Sequence, residues 1–174
     1  MADFKNIYQK LNEMENFLKN TAPTIIGVEA VNHFKESFEN QGFTDQQLEK
    51  WDEVERRKPS SPWYGFKYQS RVSRPGKKRR KSDSITNYSP AATKRPILSG
   101  DTQELMNSIR FTKLVGGARI TAGVPYAQIM NEGGRVKVFG RGSAVMQKRQ
   151  FMGKSVALQR KLQAQLIKEL NRII

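Results

Sequence analysis

The sequence predicts an α+β protein: N-terminal amphipathic helices and a C-terminal helix packed on a small antiparallel sheet, with a long basic loop or arm. Three observations predict it. Apolar residues recur at three- and four-residue steps near both ends of the chain, as helices with one buried face require. Two β-rich runs flank Gly116–Gly117, where positive φ angles allow a tight turn. Residues 56–96 hold five of the seven prolines and follow neither period.

Taken in order, residues 3–19 read as a helix with Phe4, Ile7, Tyr8, Leu11, Met14 and Leu18 in one stripe. Asn20 and Thr21 end it, and Pro23 opens the next helix at a position that needs no N–H. Residues 23–40 repeat the pattern through Ile25, Val28, Val31, Phe34 and Phe38. "NQG" at 40–42 is a helix stop, with Gly42 suited to a left-handed terminal position. "TDQQLEKW" then offers a capping box between Thr44 and Gln47, which predicts a short helix carrying Leu48 and Trp51 into the core.

From Arg56 to Pro96 the chain cannot bury enough apolar surface to offset its ordering entropy, and reads as a long loop or arm. Trp63, Tyr64, Phe66 and Tyr68 form an aromatic island in it, suited to docking on its own domain or on a neighbouring copy. Order resumes at "PILSGDTQELMNSI", where Asp101 caps a short helix, Glu104 answers it, and Leu105 and Ile109 make the inner face. "IRFTKLVGGARITAGV" is the hairpin. "PYAQIMNEGG" is a short helix closed by Gly133–Gly134, "RVKVF" an exposed strand, and "GRGS" a flexible link. Residues 153–173 form the clearest helix, with Leu158, Leu162, Leu166 and Leu170 at four-residue spacing, joined by Ile167 and Ile173. That heptad is too short for a stable isolated coil, so packing on the protein's own hairpin is the favoured role over a partner helix. The division is a helical segment at 1–55, a basic Pro/Ser-rich arm at 56–95 and an α+β core at 96–174, in one domain overall.

Composition narrows the chemistry. The 174 residues include no cysteine, which excludes disulfides and thiolate metal sites, and one histidine, which excludes multi-His metal sites. His33 lies between Val31 and Phe34 on an amphipathic helix and reads as structural. Glu13 and Glu15 do not share a helix face, and Glu53 and Glu55 stand among arginines as surface pairs. Neither glycine pair has the strand–loop–Lys–helix context of a phosphate loop. The expectation is a protein that is not an enzyme, with no catalytic residue, metal or cofactor. No apolar run approaches the roughly 20 residues that span a bilayer, so no membrane partner is expected. "MADFKNIYQK" has no apolar signal core, so the protein is expected to act where it is made.

The net charge of +15 is unevenly spread. Residues 1–55 carry 5 basic and 11 acidic groups, residues 56–95 carry 13 and 1, and residues 96–174 carry 13 and 4. An acidic head and a basic remainder attract each other within a chain or between copies. The densest run is "SRVSRPGKKRRKSD", with Arg71, Arg74, Lys77, Lys78, Arg79, Arg80 and Lys81 as candidate basic contacts. Three readings fit it: a nuclear address, a sequence-independent phosphate contact with bases stacking on the aromatic island, and a solvated or partner-bound arm.

The second half also carries a pattern of short motifs. Leu98, Ser99, Gly100, Leu105, Ser108 and Ile109 supply the named residues of "L-x-x-T/S-G-x-L-x-x-S-I" in order, with Leu98 directly before Ser99 and a wider gap between Gly100 and Leu105. Tyr126, Ala127, Asn131, Gly133 and Gly134 supply the named residues of "Y-A-x-x-H/N-x-G-G" with one extra residue before Asn131, and Arg149, Phe151, Gly153 and Ser155 fit "R-x-F-x-G-x-S". In this order, with a helical terminus and the N-terminal "NHFKESFENQGFTDQQLEKW", the chain resembles the virion morphogenesis family of tailed bacteriophages, the Mu G-protein-like tail-completion proteins. It departs from the family pattern in the extra "DT" after Gly100, in Gln147 where a proline is usual, and in the longer stretch at 60–95. The resemblance implies structural roles for the matched residues. Tyr126 and Ala127 would pack the short helix on the sheet, Asn131 and Gly133–Gly134 would turn the chain, Phe151 would anchor the last helix and Ser155 would cap it. It implies a virion protein of the neck or tail end, assembled in the bacterial cytoplasm as a homo-oligomeric ring, with six-fold order suiting a tail tube. Its partners would be tail-tube or neck and connector proteins. The basic arm would face an acidic surface of the next copy, or touch DNA weakly in the lumen. The alternative function is a sequence-independent nucleic-acid-binding accessory protein that uses the basic arm.

Overall fold

The computed structural model describes residues 2–66, 88–100, 102–138 and 142–173. Its fold is α+β, with a long N-terminal helix, a C-terminal helix and small antiparallel sheets. The chain divides into two compact units, Met1–Trp51 with Leu98–Ile174, and Asp52–Ile97.

In the first unit, helix α1 (Ala2–Asn16) runs through a π turn (Phe17–Thr21) directly into α2 (Ala22–Asn40). The break expected at Asn20–Thr21 is absent. Pro23 lacks an N–H, and its ring crowds the carbonyl four residues back, so an unbroken α-helix is disfavoured there. The π turn relieves this by widening one turn: the Ala22 N–H bonds Phe17 O, five residues back. Thr24 Oγ1 donates to Asn20 O at 2.8 Å. Helix α2 stops as expected at Asn40, but Gln41 takes the left-handed conformation (φ 50°), and Gly42 opens a strand instead.

The segment 44–51 corrects the sequence reading. It forms no helix. Strands β1 (Gly42–Thr44) and β2 (Leu48–Lys50) pair antiparallel across a turn at 45–47, with Thr44 opposite Leu48. The Trp51 N–H closes the hairpin on Gln41 O at 2.9 Å. Phe43 and Trp51 are buried, whereas Leu48 faces solvent. Thr44 and Asp45, the start of the expected capping box, are engaged by groups more than a hundred residues away, and those bonds prevail over the local cap.

After Leu98 come α4 (Glu104–Asn107), the hairpin β3 (Ile109–Leu114) and β4 (Gly117–Ala122), and α5 (Ala127–Glu132). Helix α4 is entered from Gln103 in a left-handed conformation, with no side-chain cap, and Asp101 lies outside the described residues. Glu104 does not answer a cap. Its carboxylate accepts from the Tyr126 hydroxyl at 3.0 Å. Strands β5 (Gly134–Val138) and β6 (Gly142–Met146) form a further hairpin, so Gly142 and Ser143 of the expected flexible link are strand residues. Backbone pairing with β5 supplies what the local sequence of "GRGS" does not. Helix α6 (Val156–Leu170) ends this unit. The described strands make three separate two-stranded sheets.

Helix α2 is the centre of packing. Its buried face carries Gly27, Ala30, Phe34 and Phe38, and the helix packs on β3–β4, while Phe34 stacks on Phe43 of β1 and Phe38 meets Trp51 and Phe151. Gly27 permits the approach: a Cβ there would meet the Phe111 ring at 2.2 Å. Helix α6 packs on α2 rather than on the hairpin as expected. Its partial stripe fits one neighbouring helix, with Leu158 buried, Leu162, Leu166 and Leu170 half-buried, and Ile167 exposed. The stripe of α1 is not covered at all over its first turns: residues 4–13 are all exposed.

In the second unit, part of the expected arm is ordered. A 3₁₀ turn (Glu55–Arg57), a Phe66–Tyr88 bridge and helix α3 (Pro90–Lys94) occupy it. Arg56 Nη2 donates to Arg95 O and Pro96 O at 3.0 and 2.7 Å, and Ala92 and Ile97 are buried. Of the aromatic island, Trp63 and Phe66 meet edge-on with centroids 5.4 Å apart, and Tyr64 faces Tyr88 at 6.1 Å. Ala92 and Ile97 supply the apolar burial that the lack of period conceals, while Trp63 and Tyr88 stay about half exposed. Tyr68 lies outside the described residues.

Candidate functional site

The residues picked out by motif converge on one polar and aromatic latch at the start of α6. Its apolar part is Phe151, 1% exposed, against Phe38 at 5.3 Å between centroids, with Trp51 edge-on to Phe38 at 5.8 Å. Rings in such tilted and edge-on pairs gain quadrupole attraction beyond area burial. Trp51 Nε1 donates to Gln150 O at 2.7 Å, which ties the β1–β2 hairpin to the chain just before α6.

Three polar links hold the backbone around Phe151. Asn131 Oδ1 accepts both the Phe151 and Met152 N–H groups, at 2.9 and 3.0 Å. The Arg149 N–H reaches Met130 O at 2.9 Å. Ser37, on the buried face of α2, donates its hydroxyl to Phe151 O at 3.4 Å. Gly133, at φ 72°, ends α5 beside this loop, and a Cβ there would come within 2.8 Å of Lys148 N. The second and third motifs are therefore two sides of one contact.

The N-terminus of α6 completes the latch. Ser155 Oγ accepts from the Leu158 N–H at 3.1 Å, a regular cap, and donates to Thr44 O at 2.8 Å. Asp45 Oδ1 accepts the Val156 N–H at 2.7 Å, and Asp45 O accepts the Ala157 N–H at 2.9 Å. A carboxylate at this end also complements the helix dipole. His33 is buried, with Nε2 3.1 Å from the same Thr44 carbonyl. A carbonyl only accepts, so Nε2 carries the proton.

Elsewhere the motif residues keep to the frame. Leu105 and Ile109 are buried, and Ser108 Oγ donates to Leu105 O at 2.8 Å. Leu98 adopts a positive φ of 58° where the chain enters this unit, and Gly100 is exposed. Ala127 is buried and Tyr126 is 37% exposed, with a hydroxyl pKa raised by its partial burial and then by the Glu104 carboxylate. Gly134 opens β5, and Gly153 lies in the loop before Ser155. The basic candidates Arg71, Arg74, Lys77, Lys78, Arg79, Arg80 and Lys81 all lie outside the described residues.

Asp45 and Ser37 belong to the latch and carry no local signal, since each acts on a partner more than a hundred residues distant, and Thr44, read from the sequence as a helix cap, serves the latch through its backbone carbonyl instead. Outside the latch, Lys161 Nζ lies 2.8 Å from Glu29 Oε2, joining α6 to α2. The Lys161 hydrogen bond holds the Glu29 carboxyl below its usual value against the opposing effect of burial, and the same bond raises Lys161. Among the described residues no group of three or more His, Asp or Glu could hold a metal ion, and no helix is long and apolar enough to cross a membrane. A depression of about 280 Å³ between α1 and the end of α6 is lined partly by Phe17, Glu169 and Arg172. The arrangement can fix a backbone and present surfaces. No known protein family, curated protein or solved structure matches the chain.

Proposed function

We propose that this chain is a structural virion assembly protein of a tailed bacteriophage, which completes the tail or joins it to the head as a ring of copies. The observation that carries the proposal is the latch. The motif residues behind the family resemblance, Asn131, Gly133, Phe151 and Ser155, all act in packing, turning and capping. They make a rigid frame, and a connector subunit needs a frame and interfaces rather than a reactive centre. The exposed apolar stripe of α1 and the division into an acidic head and a basic remainder supply surfaces for self-assembly.

The test is the mass of the purified chain in solution at low and moderate salt, with negative-stain images of any large species. Discrete closed rings are the expected result and give the symmetry directly. A chain that stays monomeric at high concentration, and shifts only on adding duplex DNA, overturns the proposal in favour of a second reading. That reading is a sequence-independent nucleic-acid-binding protein, favoured by the seven basic residues at 71–81. It requires DNA affinity that falls steeply with salt and vanishes when residues 70–83 are removed.

A further inference from the structure

We infer that the first four turns of the N-terminal helix are a pairing element, which joins in parallel with the same helix of a second copy. Residues 4–13 are exposed on every side, yet Phe4, Ile7, Tyr8 and Leu11 stand 71, 53, 67 and 55% open to solvent. An apolar stripe of this size on a projecting helix is a surface awaiting cover. The spacing says what kind of cover. Phe4, Ile7, Leu11, Met14 and Leu18 follow steps of three, four, three and four. That is the 3.5-residue period of a coiled-coil seam, with Phe4, Leu11 and Leu18 at a positions and Ile7 and Met14 at d positions.

The flanking charges specify the occupant and its direction. In this register Lys10 is at a g position and Glu15 at the following e position. In a parallel pair each g residue meets the e residue five places on in the other helix, so Lys10 faces Glu15 of the second copy, twice by symmetry. In an antiparallel pair g faces g and e faces e, and the Lys10–Glu15 attraction is lost. Glu15 already holds a lysine, Lys19, on its own helix, so its carboxylate is ionised and at the surface. Residues 2–20 carry three acidic and three basic side chains, which gives neither a cationic face for an anionic lipid surface nor an anionic one for a basic partner. Two heptads make a weak pair by themselves. The unbroken passage through the π turn into α2 offsets part of that, because the helix is nucleated at its base. The inference does not rest on the virion reading, although parallel helices are what cyclic symmetry about an axis along them permits.

The test uses the full-length chain, which has no cysteine of its own. Single variants Phe4→Cys, Leu18→Cys and Gln9→Cys are oxidised mildly at a concentration where the parent self-associates, and disulfide-linked dimer is measured over time. Parallel, in-register pairing brings each seam residue to its own counterpart, so Phe4→Cys and Leu18→Cys are expected to cross-link at least fivefold faster than the outward Gln9→Cys. In parallel, Leu11→Glu is expected to weaken self-association by sedimentation at least tenfold, with the circular dichroism of the folded core retained. Lys10→Glu and Glu15→Lys are each expected to weaken it, and the double variant to restore it. Cross-linking of Phe4→Cys only when mixed with Met14→Cys means antiparallel pairing and overturns the inference. So does self-association that Leu11→Glu leaves intact, an outcome that leaves ring assembly through other surfaces standing. A chain that is monomeric at every concentration overturns it as well.

Discussion

One oxygen of Asn131 holds two consecutive backbone N–H groups at the start of the Phe151 loop. Removing it strands both donors in a half-buried setting, and each stranded donor costs about 1–3 kcal/mol. Asn131→Ala is therefore expected to destabilise the fold by about 2–4 kcal/mol in chemical denaturation. Asn131→Asp keeps an acceptor in place and is expected to recover most of the loss. A deficit equal to that of the alanine variant would show that the oxygen is not what matters. Gly27 makes a different kind of demand. With a Cβ 2.2 Å from the Phe111 ring, Gly27→Ala forces α2 off the hairpin or the ring out of place, at a cost of about 1–3 kcal/mol. Adding Phe111→Leu is expected to return part of that loss, and strict additivity of the two would sink the steric account. Motif spacing singled out Asn131, but only as a turn residue. Its true partners lie twenty positions on, beyond what local spacing encodes. Gly27 carried no local sign, since the residue that needs its emptiness is Phe111.

At the scale of elements, periodicity located the long helices and the β3–β4 hairpin because their own side chains decide them. It failed where distant partners decide. "TDQQLEKW" has good capping chemistry, yet Thr44 and Asp45 bind His33 and the N-terminus of α6, and the segment becomes a hairpin. "GRGS" has no strand character, but pairing with β5 recruits Gly142 and Ser143. The contact between α2 and α6 has a pH signature. The Glu29 carboxyl is held below the 4.5 of an unfolded chain, first by the Lys161 hydrogen bond. The unfolded state thus binds more protons in mild acid, and stability rises with pH there. The contribution is complete above about pH 4.5 and is lost as pH falls through the folded value. The lysine end is raised above 10.5, so the pair holds through neutral pH and fails in strong base. Lys161 is half exposed, so screening keeps the effect small. Glu29→Gln is expected to cost about 0.5–1 kcal/mol at pH 7, and the difference from the parent is expected to close in acid. A gap that stays constant down to pH 2 would assign the loss to packing.

At the scale of the whole molecule, the α+β class and the basic segment were legible from composition and period alone. The second compact unit was not, because its order comes from scattered bonds such as Arg56 to Arg95 and Pro96 rather than from a stripe. That unit makes the basic segment separable. Phe66 bridges to Tyr88, and the Ser89 N–H bonds Gly65 O at 2.8 Å, so the chain on either side of residues 67–87 is already held together. Removing residues 70–83 leaves seven residues to close that gap, and loop entropy changes only slowly with length. The deletion is expected to fold, with net charge reduced from +15 to +9. Self-association carried by the apolar seam of α1 does not use those charges and is expected to persist. On the second reading, attraction to DNA would use them. Each phosphate contact contributes about −0.9 to the slope of log affinity against log salt, so losing seven cations should flatten that slope by about 4–6. Self-association lost together with the DNA affinity would instead make the basic segment the bond between copies. The acidic groups of residues 1–55 would then be its natural counterpart, and the attraction between head and remainder would be the force that closes the assembly.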